Sequence, residues 1–209
     1  MSETLSGVDA DSSCTSDTIT CLQNAGIAFV GRYYSRTTQI PGKKLTADEA
    51  VLISNGGMKI VAVYEDGPTE YSYFSASRGN EDATTAMQQA AAVGQPHGSA
   101  IYFTVDYNAT DSDIAANITA YFQAVNQVFN GSYLVGVYGS GAVCSAMLNA
   151  GLAARAWLCQ STAWSGYSDF TDWVIKQGPS QAVCGLNSDT DVAQGDYGGF
   201  VVSGTPTAG

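Results

Sequence analysis

The sequence predicts an α/β protein built as a (β/α)8 barrel, TIM-like, with missing or irregular helices in its last units. Three observations point there. Eight short apolar segments recur along the chain, most of them continuous runs of the kind buried on both faces of a parallel sheet. Helical patterns fill the intervals between the first five or six, and strand–helix–strand repeats make right-handed crossovers. Four of the eight segments end in an acid. In a barrel the strand C-termini gather on the face that carries catalysis. The rival architecture, a doubly wound open sheet, calls for a glycine-rich phosphate turn after its first strand. Here that turn reads DADSSCTSD, without glycine.

The strand-like segments are SGVDA (6–10), AFVGRYYS (28–35), KIVAVYED (59–66), AIYFTVDY (100–107), YLVGVYGS (133–140), ARAWLCQS (154–161), WVIKQG (173–178) and DTDVAQ (189–194). Between the first two, Ile19, Leu22 and Ala25 fall at helical spacing behind Ser16 and Asp17 as caps. LTADEAVLISNGG is the clearest helix: Thr46 is its N-cap, Glu49 follows three residues later as in a capping box, and Gly56 ends it. Residues 80–93 are rich in Ala, Gln and Met and predict a third helix. Residues 111–129 open on Asp111, Ser112 and Asp113 and repeat Ile114, Ile118, Tyr121, Phe122 and Val125 on one face. A shorter helix over 141–151 ends at Gly151. The intervals 162–172 and 179–188 are too short or too broken for regular helices.

The 209 residues suit one barrel domain over 1–200, and the small polar residues of 201–209 read as a flexible tail. Charged residues are only 13% of the chain and the net charge is -11. The eight Lys and Arg are unclustered, which argues against nucleic acid or an anionic membrane as partner. No apolar stretch is long enough to insert into a bilayer. Low charge with abundant Gly, Ala, Ser and Thr is common among secreted proteins, so a secreted, extracellular or cell-wall-associated monomer is expected. The opening MSETLSG has neither the basic region nor the apolar core of a signal peptide. Five cysteines show no metal spacing; Cys144 with Cys159, and Cys14 with Cys21, are the pairings that neighbouring barrel units suggest.

The terminal acids are Asp9, Glu65, Asp106 and Asp191. The strand period of two turns Tyr102, Thr104 and Asp106 inward, and Val61, Val63 and Glu65 likewise. Adjacent strands bring Glu65 near Asp106, and closure of an all-parallel barrel brings Asp9 near Asp191. Crowded carboxyls raise one another's pKa, so one stays protonated while another is ionised, which is what glycoside hydrolysis requires. Aromatic faces for sugar stacking are available at strand ends in Tyr34, Tyr64, Tyr107 and Tyr138 and in the loop residue Trp164. On the sixth strand the predicted inward register is Ala156, Leu158 and Gln160, with Trp157 facing the helices. His97 is the only histidine and precedes the fourth strand at the opposite end, which excludes a Ser-His-Asp triad and histidine metal sites. A calcium site from Asp9, Asp11 and Asp191 lacks EF-hand spacing, so no metal or cofactor is expected.

GVDAD, FVGRYYS, KLTADEAVLISNGGMKIVAVYE, GSAIYFTVDYNAT, VGVYGSG and the Trp/Gln-bearing sixth strand together resemble the glycoside-hydrolase-like family of unknown function numbered 1906, over roughly residues 6 to 200. That family is similar in fold to the family 25 lysozymes. The resemblance implies a cell-wall-type N-acetylated polysaccharide such as peptidoglycan. The lysozymes carry Asp-x-Glu on the fourth strand, with the Glu as proton donor; here the triplet is Asp106-Tyr107-Asn108. Three readings follow. Glu65 takes the acid role with Asp106 as partner carboxylate, and Asp9 and Asp191 hold the water or tune the acids. Alternatively the 2-acetamido sugar assists its own cleavage, oriented by Asn108 or Asp106. The third is a catalytically silent glycan-binding or cell-wall-associated domain.

Overall fold

A computed structural model describes residues 4–205 of the chain. Eight strands close into a barrel in chain order: β1 (Leu5–Ala10), β2 (Phe29–Tyr34), β3 (Lys59–Tyr64), β4 (Ala100–Thr104), β5 (Leu134–Gly139), β6 (Arg155–Leu158), β7 (Ile175–Ser180) and β8 (Ser188–Ala193). Five helices pack outside: α1 (Ser16–Asn24), α2 (Ala47–Asn55), α3 (Ala76–Val93), α4 over residues 111–129 and α5 (Gly141–Asn149). No helix follows β6 or β7, as the broken intervals predicted.

Each helix starts on a hydroxyl. Thr15, Thr46, Ser75, Thr110 and Ser140 accept from Thr18, Glu49, Arg78, Asp113 and Val143 backbone N–H groups, satisfying donors that the first turn leaves open. The α1 cap is thus Thr15, one residue before the expected pair. Helix α3 begins a turn before the predicted residue 80, through the Gly79-Asn80 pair. A Cβ at Gly79 would lie 2.4 Å from the Tyr121 carbonyl, so the glycine is what lets α3 lie close on α4. At α2 only half of the expected capping box forms. The Glu49 side chain turns away to the buried Arg32, with Arg32 Nε to Oε1 at 2.8 Å, and also accepts the Cys14 N–H at 2.8 Å. Arg32 further donates to the Ala10 and Gly42 carbonyls, so one guanidinium ties β1, β2, α2 and the β2–α2 loop together.

Alternation along the strands divides the apolar residues into two cores. Val30, Ile60, Ala62, Ile101, Phe103, Val135, Val137 and Ala156 face the helices. Phe29, Val61, Val63, Tyr102, Trp157, Ile175 and Ala193 fill the barrel, and Tyr197 plugs its lower end. Trp157 therefore points inward and Ala156 outward, the reverse of the predicted β6 register; Trp157 pairs in register with Tyr138, which fixes its side. Room for the rings comes from glycines: a Cβ at Gly136 would sit 2.5 Å from the Tyr102 ring, and one at Gly31 would sit 3.0 Å from Trp157.

The expected all-parallel barrel is corrected at its seam. β1 through β7 are mutually parallel, but β8 runs antiparallel to both β7 and β1. With no helix to return the chain, the turn after β7 is a hairpin, and a hairpin reverses direction. The strand C-termini of β1–β7 therefore share the barrel mouth with the start of β8.

The cysteine pairings are corrected too. Cys21 on α1 is bonded to Cys184 in the β7–β8 hairpin, with Cα atoms 5.7 Å apart, while Cys14, Cys144 and Cys159 are buried free thiols. Cys144 Sγ turns back onto the Gly139 and Trp157 carbonyls, 3.7 Å from each, rather than to Cys159. The hairpin covers α1 because Leu186 at its tip is buried in the outer core. Of the expected tail, Val202 N–H donates to Ser54 and the Gly204 carbonyl accepts from Asn55, both on α2; residues 206–209 lie outside the described residues. Replacing Cys21 and Cys184 together by Ala is expected to cost about 2–5 kcal/mol in urea unfolding, with the purified protein's reductant sensitivity abolished.

Candidate functional site

The barrel mouth holds a cavity of about 210 Å³. Strand parity supplies its walls: Asp9 from β1, Tyr33 from β2, Val63 and Glu65 from β3 and its end, Thr104 and Asp106 from β4 and its end, and Tyr138 from β5. Trp157 forms part of the lining from β6, with Gln160 and Ser161 just beyond that strand, Gln177 from β7 and Asp189 from β8.

A hydrogen-bond chain fixes one side of the cavity. Tyr33 OH donates to Asp9 Oδ1 at 2.6 Å, and Gln177 Nε2 donates to Asp9 Oδ2 at 2.9 Å and to Asp189 Oδ2 at 3.0 Å. The Gln177 amide is oriented by Tyr138 OH, which donates to its Oε1 at 2.7 Å. Gln160 Nε2 adds a 3.3 Å bond to Asp189. One layer down, Asp191 is 2% exposed and accepts from Trp157 Nε1 at 3.1 Å. Its other oxygen has no nitrogen or hydroxyl donor. Burial first, and then the charge of Asp9, push Asp191 well above the ordinary carboxylate range. Both causes favour its uncharged form, directly beneath Asp9. Asp9 itself is pushed up to about 6 by burial, against the bonds from Tyr33 and Gln177.

The other side is held differently. Lys43, from the β2–α2 loop, places Nζ 2.8 Å from Glu65 Oε1 and 4.5 Å from the Tyr33 ring centroid. No such cation bonds Asp106. The surrounding walls and then the Glu65 charge raise Asp106, with Lys43 opposing. The β2–α2 loop is anchored by Asp66, which accepts the Arg36 and Thr37 N–H groups at 3.0 and 2.8 Å and the Ser35 hydroxyl. Burial of Asp66 works against its charge, but the Ser35 and Thr37 bonds outweigh it and hold the carboxyl below its usual range. Among the described residues no group of three or more His, Cys, Asp or Glu is arranged to hold a metal.

Of the residues expected at the site, Asp9, Glu65, Asp106, Tyr138 and Gln160 line the cavity. Gln160 does so from beyond the strand end and not by the predicted register. Asp191 is corrected to a place beneath it; reversal of β8 puts Asp189 at the mouth instead. Tyr34 and Tyr64 are corrected to the helix-facing core. The Tyr34 hydroxyl donates to Gln95 and that of Tyr64 to Asp82. Tyr107 packs outward against Phe74, with ring centroids 6.0 Å apart. Asn108 is not in the lining: its Oδ1 accepts the Ser165 N–H at 2.9 Å and pins the loop after β6. That loop carries Trp164, which does not line the cavity either. Sequence reasoning missed Lys43, Tyr33, Gln177 and Asp189. Parity contained Tyr33, because it alternates with Gly31 and Phe29 and Tyr34 does not. Nothing local marks Lys43, whose role depends on how a loop folds back.

The stacked Asp9–Asp191 pair makes stability depend on pH. Asp9 binds its proton more tightly folded than unfolded, so its contribution is present below the ordinary carboxylate range and is lost as pH rises through about 6. Asp9→Asn is expected to flatten that fall by about 1–3 kcal/mol between mildly acidic and neutral conditions, read by urea unfolding at each pH. Asp191→Asn keeps the shape and the acceptor for Trp157 Nε1 and is expected to leave stability at neutral pH within about 1 kcal/mol of the parent, whereas Asp191→Leu, which strands that N–H, is not.

A family model described as an Rv2525c-like, glycoside hydrolase-like domain matches residues 20–200. The Bacillus subtilis protein YbfG is 33% identical over 190 residues, covering 83% of this chain and 26% of YbfG, so the chain spans about a quarter of that relative's length. Among solved structures, the Tat-secreted protein Rv2525c of Mycobacterium tuberculosis in complex with L-tartrate superposes with a TM-score of 0.81 at 22% identity, over 93% of this chain and 98% of that one. A muramidase from Acremonium alcalophilum superposes with a TM-score of 0.59 at 14% identity, over 92% and 94% of the two chains. At those identities the likeness is one of fold. The barrel, its acid-lined mouth and the match across most of the sequence agree: the chain belongs to the Rv2525c-like, glycoside hydrolase-like domain family.

Proposed function

We propose that the domain hydrolyses glycosidic bonds in a cell-wall-type polysaccharide of 2-amino sugars, lysozyme-like in its use of carboxylate acid/base catalysis. The observation that carries this reading is that Glu65 and Asp106 face one cavity from neighbouring strands in different environments. Glu65 Oε1 accepts from the Lys43 ammonium, the arrangement of a carboxylate rather than of a proton donor. Asp106 is raised and has no such partner. The roles expected from sequence are therefore exchanged in this proposal. Asp106 passes its proton to the leaving glycosidic oxygen as the C–O bond breaks, and Glu65 is the ionised partner that supports the developing positive charge or activates water. Asp9, held by Tyr33 and Gln177 and backed by Asp191, keeps negative potential on the cavity floor. Asn108 is committed to Ser165 and is assigned no part in orienting an acetamido group.

The cavity of about 210 Å³ lies below the roughly 300–1,000 Å³ of drug-sized pockets, which suits one sugar ring with the rest of the polymer along the mouth. The Cys21–Cys184 bond is of a kind kept in oxidising compartments. Together with the fold shared with the Tat-secreted Rv2525c, it supports a secreted or cell-wall-associated place of action.

Asp106→Asn and Glu65→Gln are each expected to slow release of reducing ends from peptidoglycan and chitin-type fragments by about 10²–10⁴-fold, with thermal unfolding retained. His97→Ala is expected to match the parent, since His97 meets Tyr133 edge to face at the far end of the barrel. Binding of fragments by the parent without any release of reducing ends would establish the glycan-binding reading instead, which the absence of an acid at position 108 favours.

A further inference from the structure

The cavity does not end at Asp189. A second chamber, also of about 210 Å³, adjoins it; the two share Asp9, Tyr33 and Asp189, and the second adds Asp11, Ser180, Asn187 and Ser188. Together they form a groove with room for two neighbouring sugar rings. Neither lining contains a lysine, arginine or histidine. In the second chamber the carboxyls meet only neutral donors: Asp11 accepts from Asn187 at 3.3 Å, and both amide bonds to Asp189, from Gln160 and Gln177, fall on the single oxygen Oδ2. The one ammonium at the groove is Lys43, seated on Glu65 at the far edge and over the face of Tyr33, a residue that lines both chambers. The groove thus already accommodates one primary ammonium between a carboxylate and an aromatic face, and leaves the acids of the second chamber without one.

Three chemistries of a sugar C2 substituent can be compared on these walls. An acetamido group brings one N–H donor for the acids and a carbonyl oxygen for Ser180, Ser188 or Asn187, but no charge to offset three carboxyls. A lactyl carboxylate would stand among like charges. A free ammonium brings three donors and the compensating charge. The net charge of -11 works the same way at long range, attracting a polycation and repelling a polyanion. We propose that the groove selects an amino-sugar polymer whose 2-amino groups are free, a polycation of the glucosamine or galactosamine type, with a ring ammonium seated between Asp11 and Asp189. This rests on the reading of the groove as a glycan site and replaces the N-acetylated polymer expected from sequence.

Calorimetric titration of the whole chain at mildly acidic pH tests it, with a fully de-N-acetylated chitosan tetramer, the chitin tetramer and muramyl fragments as probes. The de-N-acetylated tetramer is expected to bind at least about tenfold tighter than either of the others, with the advantage shrinking as salt is raised. Asp11→Asn with Asp189→Asn is expected to remove about tenfold of that affinity and most of its salt dependence. Lys43→Met, which frees Glu65 from its own ammonium, is expected to tighten the de-N-acetylated tetramer. Equal or tighter binding of the N-acetylated probes, a preference insensitive to salt, or weaker binding in Lys43→Met overturns the inference. The wild-type salt series and Lys43→Met decide the matter even where the double Asn variant fails to fold. Reducing-end release measured on the same mixtures reports separately on hydrolysis. A de-N-acetylated tetramer bound but uncleaved overturns the hydrolase and keeps the selectivity, whereas N-acetylated probes bound better and cleaved do the reverse.

Discussion

The antiparallel pairing of β8 with β1 is the constraint on which the site depends. Six residues of each strand pair, from Leu5 with Ala193 to Ala10 with Ser188, and this ladder closes the barrel without leaving an edge. It also decides which acid reaches the mouth. Asp9 pairs with Asp189 and Gly7 with Asp191, so Asp189 stands level with Asp9 and Asp191 lies one layer below. A parallel β8 would have offered its other end to the mouth. The reversed strand brings Gln177 along through its pairing with Asp191 across the hairpin, and that amide then joins Asp9 to Asp189.

A reversed last strand leaves that side of the barrel without an outer helix, and other contacts stand in for one. The Cys21–Cys184 bond and the burial of Leu186 fasten the hairpin to α1. On the helix-covered side, polar groups are buried because they are fully engaged. Arg32 meets Glu49 and two carbonyls, and Asp82 accepts the hydroxyls of Tyr64, Tyr73 and Tyr121. Removing one member of such a set strands the rest in a low-dielectric interior, so the sets specify one arrangement of the β2–α2 and β3–α3 loops rather than merely adding stability. Those two loops carry Lys43 and Asp66, and through them the environment of Glu65.

The acids at the mouth divide into two kinds because the barrel treats them differently. Asp9 and Asp191 lie within the strand ladder, where burial dominates and raises both. Glu65 and Asp106 stand past the ends of β3 and β4, where Lys43 reaches one of them and the cleft walls bear on the other. Like residues at like strand ends thus stand in unlike surroundings, set by depth and by one lysine, which is the condition for dividing acid and base roles between carboxyls.

Local pattern determined much of this protein. Eight strands and five helices, the missing helices after β6 and β7, and the inward parity of Glu65, Thr104 and Asp106 are all readable from runs, caps and alternation. They depend on interactions between residues a few positions apart. The identity of the family was likewise readable, since its motifs lie along single segments. Tertiary structure alone decided the rest. Nothing in DTDVAQ states its direction; that follows from the absence of a helix to return the chain. The side taken by Trp157 was open because β6 is only four residues long, too short for its own alternation to fix the register without pairing to β5. The Cys21–Cys184 bond joins residues 163 apart in sequence, and the Lys43–Glu65 pair joins two loops. Such contacts arise from the closure of the barrel and not from any spacing in the chain, so they become visible only when the strands are in place.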